Sequence, residues 1–132
     1  MSTTVNVVVC GAHMSGLPLN HQLTGLGATL VSKTRTAPEY RLYKLDCYSP
    51  PRPGLLRVNA DGVAIEVEVW QLPLAAYGAF VASVPGPLGF GTLKLEDGTL
   101  AQGFLCEFYA TQQAPDISAL GSWRAFLQQT AG

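Results

Sequence analysis

The segment "LLRVNADGVAIEVEVWQLP" (residues 55–73) decides how the chain is read. Its second half alternates. Ile65, Val67 and Val69 fall on one face of an extended strand, and Glu66, Glu68 and Trp70 on the other. The "ADG" at 60–62 interrupts the apolar pattern, so the segment predicts a hairpin followed by a long strand.

Working outward, "VNVVVC" (5–10) predicts a buried first strand, "ATLVSKTRTA" (28–37) a second and "YRLYKLD" (40–46) a third. "PLNHQLTGLG" (18–27) predicts a short helix, with Pro18 in its first turn and Gly25 or Gly27 ending it. "SPPRPG" (49–54) is expected to be a rigid loop outside any sheet interior. Beyond the long strand, "LAAYGAFVASV" (74–84) has helical spacing and "PGPLGFG" (85–91) is a turn. "TLKLEDGTLAQGFLCEFYA" (92–110) folds back at Asp97-Gly98. A terminal amphipathic helix (117–129) turns Ile117, Leu120, Trp123, Ala125, Phe126 and Leu127 inward. Six or seven strands and three short helices, without strict βαβ alternation, predict an α+β fold: a small mixed β-sheet or barrel with helices outside it.

Bulk composition narrows the function. The 132 residues fit one domain, 1–132, large enough for a core of its own. With 48% hydrophobic and 13% charged residues the chain is not of the disordered class. A net charge of -1 advertises neither nucleic acid nor an anionic membrane as partner. No apolar run is long enough to span a bilayer, and the first ten residues lack a basic, cleavable leader pattern. A cytoplasmic location is therefore expected. Cys10, Cys47 and Cys106 are odd in number and lack CxxC spacing, which fits neither a disulfide framework nor a zinc site. Cys10 and Cys106 read as buried thiols, Cys47 as a loop residue.

The candidate chemistry begins at "VVVCGAHMSGLPLN" (7–20), where a strand breaks at a histidine before a helix starts. Backbone N–H groups at a helix start favour an anion, and His13 beside them can donate to it or move a proton. Position alone leaves this level with a loop histidine held by the backbone. Loop candidates for binding are Gly11, Ala12, Ser15, Gly16, Leu17 and Asn20. His21 reads as a helix-surface residue. On the third strand Arg41 and Tyr43 share a face, and a guanidinium beside a phenol suits a carboxylate; Tyr40 joins them as a candidate. Glu66 and Glu68 either face water or line a cavity, where one could act as acid or base.

Several stretches taken together carry a resemblance. "CGAHMSGLPLN", "TAPEYRLYKL", "AIEVEVWQLP", "FVASVPGPLGFGTLKLEDG" and "GFLCE" occur in this order in the C-terminal domain of allophanate hydrolase. The resemblance runs from about Val5 to about Phe126. It implies a gamma-glutamylcyclotransferase-like fold, a small barrel with flanking helices. It also implies a place in urea and allophanate nitrogen catabolism: an amidase domain releases ammonia from allophanate, and this domain decarboxylates the resulting N-carboxycarbamate. His13, in the matching "GAHMSGLPLN", is then the first choice of proton donor, with Arg41 and Tyr43 as carboxylate binders and Glu66 or Glu68 as further catalytic candidates. No metal or organic cofactor is called for. The expected partners are a small dicarboxylate-like substrate and a separate amidase, and the reading admits a homodimer. The chain carries no amidase segment, so it reads as a stand-alone homologue or an excised domain. Two rivals remain: a gamma-glutamylcyclotransferase-type enzyme, which needs a cavity glutamate, and a non-catalytic accessory module of an amidase.

Overall fold

A computed structural model describes residues 3–131. The elements are β1 (Thr4–Val9), α1 (Asn20–Thr24), β2 (Thr29–Arg35), β3 (Tyr40–Leu45), β4 (Arg52–Arg57), β5 (Glu66–Pro73), α2 (Leu74–Ala82), β6 (Leu88–Lys94), β7 (Leu100–Cys106) and α3 (Trp123–Ala131). Two 3-10 turns, Phe108–Thr111 and Ser118–Leu120, precede α3. No helix among the described residues is long and apolar enough to cross a membrane.

β5 organises the larger sheet, whose order is β2-β5-β1-β7-β6. It pairs antiparallel with β1 (Val8 opposite Val69) and with β2 (Thr34 opposite Val67). β1 and β7 run parallel, and β6 and β7 form the hairpin expected across Asp97-Gly98. The sheet curls until its two ends meet at one corner: Thr36 bridges Leu95, with Ala37 N–H on the Lys94 carbonyl and Glu96 N–H on the Arg35 carbonyl, both at 2.9 Å. β3 and β4 form a separate two-stranded sheet. The fold is thus α+β, as expected, but the expected barrel is not closed: the strands form a curled five-stranded sheet and a separate two-stranded one.

The alternation along β5 separates two cores. Ile65, Val67 and Val69 pack with Val8, Tyr40, Leu42, Leu55 and Leu93 between the two sheets. Trp70 and Leu72 pack with Val7, Val9, Phe80, Phe104 and Trp123 under the helices.

Several local expectations change. "PGPLGFG" (85–91) is a turn only as far as Pro87, because Leu88, Gly89, Phe90 and Gly91 already pair with β7 in β6. The hairpin across "ADG" is not formed. β4 pairs with β3 instead, from Tyr40 opposite Arg57 to Leu45 opposite Arg52. The chain turns at Asp61 (φ 62°) and reaches the other edge of β3, where Val63 bridges Tyr40. Gly62 permits that passage, since a Cβ there would lie 2.5 Å from the Glu39 backbone. "SPPRPG" is only half loop: Arg52, Pro53 and Gly54 already belong to β4. Pro53 is tolerated because this two-stranded sheet is nearly all edge. The terminal helix starts later than its apolar pattern, at Trp123. Gly121 (φ 71°) ends the preceding 3-10 turn in a left-handed conformation, and the Ser122 hydroxyl accepts the Ala125 N–H at 2.9 Å.

Candidate active site at the loop after β1

The loop from Cys10 to Leu19 is closed by its own backbone. Met14 N–H donates to the Gly11 carbonyl (3.0 Å), Leu17 N–H to Met14 (3.1 Å) and Leu19 N–H to Ala12 (2.8 Å). The Asn20 amide donates to the His13 carbonyl at 2.8 Å. Gly11 lies hard against β4, since a Cβ would sit 2.5 Å from the Pro53 ring.

These contacts leave His13 pointing inward, only 8% exposed. Its ring stacks on Phe104 at 5.1 Å and meets the edge of Phe80 at 5.4 Å. Nε2 is 2.8 Å from Gln22 Oε1, so as oriented Nε2 carries the proton and donates. Burial pushes the His13 pKa below its ordinary 6.5; the Gln22 hydrogen bond opposes the shift, and the charges of Arg52 and His21 add to it.

Arg52 completes the site. It lies with its guanidinium 4.9 Å from the Tyr48 ring. Tyr48 is itself fixed, donating its hydroxyl to the Pro85 carbonyl at 2.9 Å and accepting the Leu88 N–H at 3.3 Å. Arg52 makes no ion pair among the described residues. Two cavities meet at His13 and Arg52. The smaller, about 30 Å³, is lined by Gly11, Ala12 and Pro53 with Cys10, Leu19, Leu88 and Phe104. The larger, about 330 Å³, opens over Gln22, Leu26, Ala79, Phe80, Ser83, Val84 and Pro85. A single cation, a neutral imidazole and a carbon wall can hold one carboxylate and leave whatever is attached to it poorly solvated.

Of the sequence candidates, Gly11, Ala12 and His13 share this site. Ser15 and Glu68 meet behind it. Glu68, 2% exposed, accepts Ser15 N–H (2.7 Å), Ser15 hydroxyl (2.9 Å) and Trp70 Nε1–H (2.9 Å). Arg124 of α3 donates to the same carboxylate and to the Ser15 carbonyl, both at 2.9 Å. Burial is the largest single influence on Glu68 and would raise its pKa. The hydrogen bonds and the Arg124 charge outweigh it and hold the carboxyl below its ordinary 4.5. Glu68 thus anchors the loop from the side away from the cavities. Glu66 lies 3.7 Å from Arg124 in the same outer cleft.

The strand candidates lie elsewhere. Arg41 spends its guanidinium on Asp116 (2.9 Å) and on the Asp61 carbonyl (2.6 Å). Tyr40 is wholly buried, its hydroxyl accepting the Lys94 N–H at 2.9 Å, and Tyr43 bridges Asp116 through the backbone. The expected pocket joining His13, Arg41 and a glutamate is therefore not formed, because β3 presents Arg41 to the 116–118 segment. The helix-start anion site is not formed either. α1 spans only Asn20–Thr24, and the N–H groups of Ser15, Leu17, Leu19, Asn20 and Gln22 are already bonded. Gly16 and Leu17 line neither cavity, and His21 is on the surface with Nδ1 on the Pro18 carbonyl (2.9 Å). Sequence reading missed Arg52, Gln22 and the two phenylalanines. A lone cation set between prolines was the one available signal.

Comparison with known proteins gives concordant matches. The family described as "Allophanate hydrolase C-terminal domain" matches residues 5–128. The urea amidolyase of Saccharomyces cerevisiae is 40% identical over 131 residues, covering 96% of this chain but 7% of the yeast protein. The chain therefore spans a small fraction of the curated relatives it matches. The solved allophanate hydrolase of Kluyveromyces lactis superposes with a TM-score of 0.91 at 38% identity, over 96% of this chain and 21% of that one. A protein specific to uropathogenic E. coli, also 38% identical, superposes with a TM-score of 0.88 over 96% of this chain and 98% of its own. An aig2-like protein of Mus musculus shares the fold alone, at 15% identity and a TM-score of 0.63. Matched from β1 into α3, the chain belongs to the allophanate hydrolase C-terminal domain family.

Proposed function

We propose that the chain decarboxylates N-carboxycarbamate, the product left when an amidase removes ammonia from allophanate. The observation that carries this reading is the meeting of His13 and Arg52 at a cavity whose far wall is carbon. Arg52 takes the role that the sequence assigned to Arg41 and Tyr43 and holds one carboxylate. The other enters the smaller compartment beside Ala12, Leu19, Leu88 and Phe104, where a departing neutral CO2 is better accommodated than a carboxylate anion. The C–N bond breaks, its electron pair stays on nitrogen, and nitrogen takes a proton from His13. The products are CO2 and carbamate.

The depressed His13 pKa fits a proton carrier charged by its substrate. The free site keeps the imidazole neutral. A dianion beside the ring favours the imidazolium, which is then a strong acid in a water-poor site. The cyclotransferase alternative needs a glutamate in the cavity beside the loop histidine, and the glutamates that line a cleft, Glu66, Glu68 and Glu96, lie in the outer one with Arg124, apart from His13 and Arg52.

The test mixes this chain with an isolated allophanate amidase domain at mildly alkaline pH, where spontaneous decarboxylation is slow. Faster CO2 release, abolished by His13→Ala through a loss on the order of 10²–10⁴-fold, is the expected result. Equal CO2 traces with and without the chain would remove the reading and favour an accessory module.

A further inference from the structure

We infer that the cleft beside His13 takes malonate-type dicarboxylates bearing an apolar substituent on the central atom, and their N-alkyl iminodicarboxylate counterparts, more tightly than the unsubstituted parent. The inference rests on the reading above and deepens it by naming the substrate class.

N-carboxycarbamate is small and polar at every atom of its surface. The larger cavity, at about 330 Å³, is not matched to it. Arg52 is its single charged group. The Gln22 carbonyl is committed to His13 Nε2, and the Ser83 hydroxyl donates to the Phe80 carbonyl at 2.6 Å. The remaining side chains of the wall are Leu26, Ala79, Phe80, Val84 and Pro85. The small compartment, at about 30 Å³ with Gly11 and Ala12 on its wall, has space only for a group the size of a carboxylate. A ligand with a carboxylate on Arg52 and its central atom at His13 therefore has one direction in which to grow, along α2 towards Val84. Phe80 is buried and Leu26 and Val84 half-buried, all packed against the helix-side core, so the wall is preformed.

A methylene fully removed from water gains roughly three- to fourfold in affinity. Because the cleft is open on one side, a propyl chain is expected to gain on the order of tenfold.

The experiment is calorimetric titration of the full chain with malonate, hydroxymalonate and propylmalonate, with amide shifts of Phe80 and Val84 locating the substituent. Propylmalonate binding about tenfold tighter than malonate, hydroxymalonate binding no tighter, and loss of the propyl gain in Val84→Ser with malonate affinity kept are the supporting results. Propylmalonate binding alone would also support it. If malonate binds and propylmalonate binds no better, the inference is overturned while the decarboxylase reading stands. If neither binds, the inference is overturned, and the CO2 assay decides the reading by itself. Leu26→Ser repeats the test from the opposite wall should Val84→Ser fail to fold.

Discussion

At the scale of single residues, the proposed reaction gives His13 and Arg52 the work that the sequence suggested for His13, Arg41, Tyr43 and either Glu66 or Glu68. Phe80, Phe104 and the loop backbone surround the imidazole, so its charged form is disfavoured until an anion arrives. NMR titration of the ring is expected to place its pKa below 6.5 in the free chain, and saturation with malonate is expected to raise it. The same linkage appears in calorimetry as proton uptake on binding, read from the buffer dependence of the heat. An unchanged ring titration would remove the proton-carrier role. Arg52→Ala is expected to weaken malonate binding roughly ten- to hundredfold, the usual worth of a charge-assisted hydrogen bond in such a site. Arg41→Ala, whose guanidinium serves Asp116, should leave malonate affinity unchanged. The opposite ranking would return the carboxylate to β3.

At the scale of elements, the loop that carries His13 is held from behind by a clamp joining β5 to α3. Ser15, Trp70 and Arg124 converge on Glu68, and removing the carboxylate strands four donors, the Ser15 N–H and hydroxyl, the Trp70 Nε1–H and the partly exposed Arg124 guanidinium. Glu68→Ala is expected to cost about 3 kcal/mol, the lower end for a broken buried pair because Arg124 still reaches water. Chemical denaturation measures the loss. Arg124→Ala should lose less and should raise the mobility of amides 13–17 in hydrogen exchange. The parallel seam between β1 and β7 is a second tight joint. A Cβ on Gly103 would lie 2.6 Å from the Val8 carbonyl, whereas one on Gly89 meets nothing within 4 Å. Gly103→Ala should therefore cost about 1–3 kcal/mol and Gly89→Ala close to nothing, a contrast visible in paired thermal melts.

At the scale of the whole molecule, the buried titratable groups set the direction of acid sensitivity. His13 has a folded pKa below its unfolded 6.5, so the unfolded chain binds more protons there; stability is full above pH 6.5 and declines as pH falls through the folded value. Glu68 repeats the pattern lower down, its contribution present above 4.5 and lost on further acidification. A melting temperature that falls in two stages below pH 6.5 is expected, with the lower stage flattened in Glu68→Gln. A flat profile from pH 7 to about 2 would contradict both assignments. By itself the sequence determined what repeats locally: the strand periods, the helices, the Asp97-Gly98 hairpin, the two faces of β5 and the break in the chain at His13. Those follow from side-chain alternation, turn chemistry and helical spacing, all set within a few residues. The long motifs also carried the family. Tertiary structure alone decided which strands pair, and hence which cation meets His13. Arg52 reaches the site because β4 folds back on β3, and Arg41 misses it because that same strand pair faces Asp116. Both outcomes depend on close packing between segments far apart in the chain, Gly62 against Glu39 and Gly11 against Pro53, which no local period encodes.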